Sequence, residues 1–580
     1  MLSNSISIAR RYTFSVLILL LLITFIPFLG ETYFNTKGEP REALVAVDML
    51  QTGNWILPIG NSTDMPYKPP MLAWCIAILS FINGFVVTEF VSRLPSALAM
   101  IAMGLVVYQY TRRSTGQTTT AFFTVLVLAT MFEVHRAATN CRVDMLLTAF
   151  MVIAIYRMTL CPKVTKRFID IPSILLLSGA VLTKGPVGMV IPCAIAWIVM
   201  LVRHQNTVRA TISMVVTGIL SLIIPALWYY AAYKQGGAEF LDLVIEENFG
   251  RMTGTMSYES HVNPWWYNIL TILAGMLPYT LLFLSAPFII KYSELKKSKI
   301  KEWWHQLSDI DQVMIVSALF IFIFYCIPAS KRSVYLLPMY PMLAYGVVRY
   351  IHILINRPAI LKSFAGLLAS LPFILIVAFI AIKIKGPFGT NSTMLATQGI
   401  FDASFTFKGV LTTIISIAAG VITWKYILKY DALQSIRSAI ITLLTVFWSY
   451  SAFYQPTILN PKSDRTIVVE LVNMYAHQKM APCWIEPGSM MRMYTINYYL
   501  RNKLERVEKP QGETGQLIVA ACDYPRLLEM FDKEYRFFVI RDFKHRSCDF
   551  KSTIYVVNYQ KRNGEQSISH PAADFQPVIK

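Results

Sequence analysis

The chain has 580 residues, 55% of them hydrophobic and 15% charged, with a mean hydropathy of +0.48. That composition excludes a soluble globular protein of this size and fits a chain that crosses a membrane many times. The formal net charge of +19 does not call for nucleic acid, because lysines and arginines gather in the cytoplasmic loops of such proteins.

Taken in chain order, Arg10-Arg11 precede an apolar run at 13–30. The run is long for a signal peptide and no small-x-small cleavage site follows it. It reads as an uncleaved first span with the N-terminus cytoplasmic. Further apolar runs lie near 91–111, 119–138, 145–160, 171–184, 186–202, 210–233, 266–290, 310–328, 334–353, 363–383, 408–426 and 437–455. A run at 71–87 is also apolar. If it lies along the interface, the basic clusters Arg112-Arg113, Lys163 to Arg167, Arg203 with Arg209, the lysines of 291–301, Arg349 to Lys362 and Lys425 to Arg437 all join Arg10-Arg11 on one side. The positive-inside rule therefore predicts about thirteen spans and a juxtamembrane 71–87.

Beyond Tyr454 the sequence turns polar. The expected division is a membrane domain at 1–455, with juxtamembrane loops at 31–90 and 235–264, and an extracytoplasmic α/β domain at 456–580. In the tail, 517–521 and 553–558 read as strands, and 466–477 and 524–533 as helices. Cys75, Cys141, Cys161, Cys193 and Cys326 read as core fillers. Of Cys483, Cys522 and Cys548, two would pair in an oxidising compartment; no cysteine has metal-ligand spacing.

With this topology the unusual polar sequences share the outer face. Each has an ordinary alternative. Glu39, in Gly38-Glu39-Pro40-Arg41-Glu42, is a helix-start acid or a general base that takes a proton from an acceptor hydroxyl. Arg41 would orient it or bind an anion. Lys68, in Tyr67-Lys68-Pro69-Pro70, is a snorkelling lysine or, held rigid by prolines, a phosphate contact. Asp144 caps a span, with Arg142 near enough in sequence for a simple ion pair, or is a functional acid at a span edge. Lys184-Gly185-Pro186 is a turn with a lysine on the side where the topology does not favour one, which suggests phosphate binding. The loop at 246–267 holds Glu247, Arg251, His261 and an aromatic belt, Trp265-Trp266-Tyr267. Arg251 has the geometry to grip a phosphate bidentately. Ser330-Lys331-Arg332-Ser333-Val334-Tyr335 offers a cation and a phenol as a further anion contact.

The order and spacing of these motifs resemble the lipid-linked-sugar glycosyltransferases of the GT-C type. Within them the pattern is similar to the bacterial aminoarabinose transferases that modify lipid A, relatives of the protein O-mannosyltransferases. The motifs are acid-x-Arg after the first span, Trp55 in Gly-x-Trp, Lys68-Pro69-Pro70 before Trp74, Asp144-Met145, Lys184-Gly185-Pro186, Glu247-x-Phe249-x-Arg251, and Ser-Lys-x-x-x-Tyr335-x-Leu-Pro. The resemblance implies a polytopic helical membrane protein of about thirteen spans with a small outer α/β tail, in a bacterial inner membrane. It implies a polyprenyl-phosphate-linked sugar as donor and lipid A, or alternatively a protein, as acceptor.

By resemblance, Lys68, Lys184, Arg251 and Tyr335 hold the donor phosphate, Glu39 and Asp144 are the catalytic acids, and Arg41, Glu42 and Glu247 orient substrate. The family's first loop carries a leading aspartate as acid-base residue; Gly38 stands in that place here, which moves the expected base to Glu39. The family's metal contact is a glutamate before the Lys-Pro segment; Tyr67 stands there, so neither a metal nor another cofactor is expected. A secondary transporter is the reading from another class; the scarcity of ionisable residues near the span centres speaks against it.

Overall fold

The computed structural model describes residues 2–62, 64–66, 68–164, 167–250, 253, 261–289, 303–475, 483–485 and 492–562. It is a helical membrane protein with one small sheet at its C-terminal end. Among the described residues seven helices are long and apolar enough to cross a membrane, or nine if two sharply bent helix pairs each make one crossing. Among four shorter apolar helices, Tyr12–Phe25, Ile171–Lys184 and Val187–Val202 cover three of the other runs expected to span, and the fourth is Met71–Asn83. Met71–Asn83 is too short to cross by itself, in keeping with a juxtamembrane 71–87.

The helices that build the site come first in the chain: α1 (Leu2–Phe25), α2 (Gly38–Thr52), α3 (Met71–Leu79), α4 (Glu89–Thr115), α5 (Thr118–Ala129), α6 (Phe132–Ala138), α7 (Val143–Leu160) and α8 (Ile171–Lys184). Their ends follow local chemistry. Helix α2 begins with Glu39 and Pro40 in its first turn and stops at Gly53, whose N–H closes on the Met49 carbonyl at 3.0 Å. The Thr88 hydroxyl accepts the Val91 N–H at the head of α4. Asp170 caps α8 by accepting from Ser173 and pairs with Arg157 through two bonds of 2.6 and 2.8 Å. Helix α8 breaks at Gly185, where φ is +87°, a backbone conformation glycine reaches without strain, and Pro186 follows to open the next helix. The expected span at 119–138 is bent by 72° between α5 and α6, which turns 132–138 towards the site.

Exposed side chains such as Leu227, Val377, Ile384, Ile414 and Leu428 face lipid along the later spans. Between the helices Phe407–Leu428 and Ala432–Ser449, Thr423 bonds to Ser438 and Thr442 at 2.8 and 2.9 Å, polar contacts typical of packed membrane helices. The last helical run continues to Lys462.

The tail forms a five-stranded mixed sheet: β1 (Cys483–Ile485), β2 (Arg506–Val507), β3 (Thr514–Ala520), β4 (Tyr535–Asp542) and β5 (Ile554–Lys561), in the order β2-β1-β3-β5-β4. β1 runs parallel to β2 and β3; β5 is antiparallel to β3 and β4. Helices Arg465–Tyr475 and Tyr524–Phe531 occupy the positions read from the sequence. All eight cysteines are free thiols, so no pair forms among Cys483, Cys522 and Cys548; Cys548 is buried while Cys522 is exposed. The helix Tyr494–Tyr499 fastens the tail to the membrane part. The Tyr498 hydroxyl donates to the Val87 carbonyl at 3.0 Å, and the Tyr499 hydroxyl accepts the Phe34 N–H at 3.0 Å and bonds Glu89 at 2.8 Å.

Candidate active site

Two acid–lysine pairs meet at one end of the helix bundle. On α2, Glu42 holds the Lys68 ammonium and accepts from the neighbouring Arg41 guanidinium at 3.1 Å. At the head of α7, Asp144 holds Lys184, the last residue of α8. The pairs adjoin: Lys68 and Arg142 both lie within electrostatic reach of Asp144. The Lys184 ammonium sits 4.4 Å from the centre of the Tyr335 ring, a cation–π contact, and Tyr335 packs on Tyr325 with centroids 5.6 Å apart. Lys68, Lys184, Asp144, Glu42, Arg41 and Tyr335, scattered over almost 300 positions of sequence, thus share one locus.

Glu39 is close by but differently placed. Its side chain turns into the protein and takes a bidentate grip from Arg93 of α4, at 2.8 and 3.0 Å, and also accepts the Cys141 N–H at 2.9 Å. Arg93 spends its other donors on the carbonyls of Leu29 and Thr32, at 2.7 and 2.6 Å. Burial would raise the Glu39 carboxyl, but the charge and hydrogen bonds of Arg93, the Cys141 N–H and the charge of Arg142 outweigh it and hold the group below its ordinary range. A carboxylate 5% exposed and held by Arg93 and the Cys141 N–H has the properties of a structural anchor.

Glu42 is also net depressed: burial raises it, but the Lys68 and Arg41 charges bring it down to about 2. It remains at the edge of the site, its side chain 11% exposed.

The place of Gly38 explains why that residue is a glycine. A Cβ there would lie 1.9 Å from an Arg142 terminal nitrogen and 2.5 Å from its central carbon, so the guanidinium occupies the space a side chain would fill. Gly38 and Glu42 are four residues apart and share a face of α2. The site therefore gathers Arg41, Lys68, Arg93, Arg142 and Lys184 around Glu39, Glu42 and Asp144, with positive charge in excess. The obstruction is the far end of a flexible side chain, which makes the position testable. Gly38→Asp is expected to keep or raise the thermal unfolding temperature, because the new carboxylate meets Arg142. Gly38→Leu is expected to cost about 2 kcal/mol, because it displaces the guanidinium without a counter-charge. Thermal unfolding of the detergent-solubilised chain separates the two.

Arg251 lies outside the described residues. Glu247 lies in a π-helical turn, Glu246–Gly250. Lys331 is buried and its ammonium donates to the Pro328 carbonyl at 2.6 Å, so the cation over Tyr335 is Lys184 rather than Lys331. The carbonyl of His261 accepts the Lys331 N–H at 3.0 Å, and Val262 bridges Ser330, which ties the loop to the start of the next span. Asp48 accepts the Ile59 N–H at 2.7 Å and folds the following loop onto α2. A cleft of about 960 Å³, lined by Val47, Gln51, Glu89, Arg465, Tyr499 and Arg501, opens on the opposite face of α2 and does not contain the acid–lysine pairs.

Residues 67–229 match a family model described as dolichyl-phosphate-mannose-protein mannosyltransferase. A structure of ArnT from Cupriavidus metallidurans bound to undecaprenyl phosphate superposes with a TM-score of 0.68 at 16% identity, covering 93% of this chain and 97% of that one. The chain shares the fold of that structure. An uncharacterized protein of Aquifex aeolicus is 28% identical over 56% of this chain and 62% of its own length. A Proteus mirabilis protein named undecaprenyl phosphate-alpha-4-amino-4-deoxy-L-arabinose arabinosyl transferase 2 is 25% identical over 58% of each chain. These matches thus span about three fifths of the curated relatives.

Within this fold two contributors, Arg93 and Arg136, escaped the sequence reading, and a third, Arg142, has a further place. Arg93 is an arginine inside a span, itself a signal that it serves a site. Arg142 acts on Asp144 as the sequence suggested and also lies over Gly38. Arg136 forks onto the buried Glu133 at 2.9 and 2.6 Å, reaches Ser333 at 3.4 Å and adds its charge to the field at Asp144. Where the resemblance puts a glutamate as metal contact, directly before Lys68, the chain has Tyr67.

Proposed function

We propose that this multi-pass membrane protein transfers a sugar from a polyprenyl phosphate to an acceptor hydroxyl or amine at the extracytoplasmic surface, with lipid A or a related glycolipid as acceptor and the N-terminus in the cytoplasm. The observation that carries the reading is the meeting of the Glu42–Lys68 and Asp144–Lys184 pairs beside Tyr335. The fold likeness and the names of the relatives support a polyprenyl-phosphate donor.

Each lysine rests on a carboxylate until an anion arrives. The donor phosphate draws Lys68 and Lys184 to itself, with Arg251 and the Tyr335 phenol completing its contacts, and this releases Glu42 and Asp144. As the bond from the anomeric carbon to the phosphate oxygen breaks, its electron pair leaves with the polyprenyl phosphate, and the gathered cations neutralise the charge that develops. The acceptor attacks that carbon from the opposite face and gives its proton to Glu42, which inherits the role first expected of Glu39. A single displacement inverts the configuration, through an oxocarbenium-like state analogous to glycoside hydrolysis. Asp144 positions Lys184, Arg41 steadies Glu42, and Glu39 anchors α2.

The test is transfer from a radiolabelled polyprenyl-phosphate sugar by purified, reconstituted protein. Label is expected in added lipid A, with release of polyprenyl phosphate. Label in an added protein instead would favour protein O-glycosylation. Donor movement across the bilayer without chemical change would replace the reading with a transporter.

A further inference from the structure

A second cluster of ionisable side chains lies in the tail, away from the acid–lysine pairs. A carboxylate oxygen of Asp464, the thiol sulfur of Cys548 and a carboxylate oxygen of Asp549 all lie within 4.8 Å of one another. All three residues are buried, with Asp464 at 0% exposure and Asp549 at 2%. The His545 Nε2 is 3.8 Å from Asp464 Oδ1 and is itself buried without a hydrogen-bond partner. We propose that Asp464, His545, Cys548 and Asp549 bind one zinc ion that clamps the C-terminal domain to the membrane domain.

Three observations support this. The first is charge. Among the described residues the sole ion-pair partner of either aspartate is His545, and burying two adjacent carboxylates without a cation is costly. Lys37 acts on Asp549 from a distance, and Lys551 is held by the Cys548 carbonyl at 2.7 Å.

The second is orientation. The Asp464 oxygens accept the Cys548 N–H and the Ser547 hydroxyl, both at 2.8 Å, and those of Asp549 accept the Thr495 N–H at 2.7 Å and its hydroxyl at 2.9 Å. Asp549 Oδ1 also meets the Cys548 thiol at 3.9 Å, and each carboxylate keeps a lone pair for a ligand, as in carboxylates held for a metal by outer hydrogen bonds. The third is the donor set. Two carboxylates, one thiolate and one imidazole make a mixed O, S and N quartet that suits tetrahedral zinc better than calcium or magnesium.

The position gives the ion a purpose. Asp464 directly follows the last helical run out of the membrane, and the adjoining Ser463 hydroxyl donates to the Phe34 carbonyl at 2.6 Å. Asp549 holds the head of the helix Tyr494–Tyr499, whose tyrosines grip residues 34, 87 and 89. One ion would fasten the membrane exit, the tail sheet and the segment leading into α2. The inference stands apart from the proposed sugar transfer.

The test uses the full chain in nanodiscs, stripped with chelator and reloaded with zinc, then measured by elemental analysis. About one zinc per chain is expected, with affinity at least about tenfold weaker in Cys548→Ser and Asp549→Asn. Cobalt in place of zinc should give a thiolate-to-metal charge-transfer absorption in wild type and in Cys522→Ser, and none in Cys548→Ser. The cobalt spectrum of wild type decides the matter even if a variant fails to fold. Zinc at background level, zinc indifferent to Cys548→Ser, or bound cobalt without the thiolate band would overturn the proposal.

Discussion

Glu42→Gln is expected to slow sugar transfer by at least about a hundredfold while donor binding stays the same or tightens. The two effects separate because Glu42 has two duties. In the resting protein it holds Lys68, so its loss frees a cation for the donor phosphate. During transfer it takes the acceptor proton, which glutamine cannot do. Lys68→Gln and Lys184→Gln should show the reverse pattern, with weaker donor binding, because they remove charge that the phosphate uses. The pH dependence has a definite sign. Depressed to about 2 from an ordinary 4.5, the Glu42 carboxyl contributes stability that is complete above 4.5 and lost as pH falls towards 2. Once Lys68 has moved to the phosphate, the Glu42 carboxyl loses its main counter-charge and its pKa rises. The acid limb of kcat is therefore expected at higher pH than that of kcat/KM. Steady-state kinetics across pH with labelled donor would check both points. Full turnover in Glu42→Gln, or a larger loss in Asp144→Asn with donor binding intact, would move the base to Asp144.

Composition and charge patterning carried the membrane architecture, because apolar length and basic loops are one-dimensional properties of the chain. The convergence of residues 39–68, 140–144, 184 and 335 was legible for the same reason: alternating spans place their ends on one side or the other. Side-chain direction was not legible. Glu39 and Glu42 lie three residues apart on α2, and only packing against α4 decides that the first turns to Arg93 and the second to Lys68. The bend between α5 and α6, and the split of 334–353 into a 3-10 turn, Ser333–Met339, and a shorter helix, Tyr340–Ile353, reflect tertiary packing that hydropathy does not encode. In the tail, β1 and β2 have three and two residues, too few for an alternating pattern to register. The Asp464–Cys548–Asp549 cluster joins residues more than eighty positions apart, which spacing rules for metal ligands do not reach.

Glu39→Gln is expected to act on stability rather than on chemistry. The substitution leaves the Arg93 guanidinium buried with its counter-charge gone, at a cost of about 3 kcal/mol, and thermal unfolding should begin several degrees lower. Arg93→Met strands the carboxylate instead and should cost a similar amount. The double variant, with neither charge left to bury, should recover a large part of the loss, so the two single effects will not add. The Cys141 N–H still finds an acceptor in the glutamine side chain, which confines the loss to the ion pair. Turnover per folded molecule should remain within about threefold of wild type in Glu39→Gln, well short of the hundredfold loss expected of a removed base. Unfolding midpoints of the four proteins in nanodiscs, with transfer rates normalised to the folded fraction, provide the comparison. An unchanged midpoint with turnover abolished would return the role of base to Glu39. It would also mean that the Arg93 grip opens when donor binds.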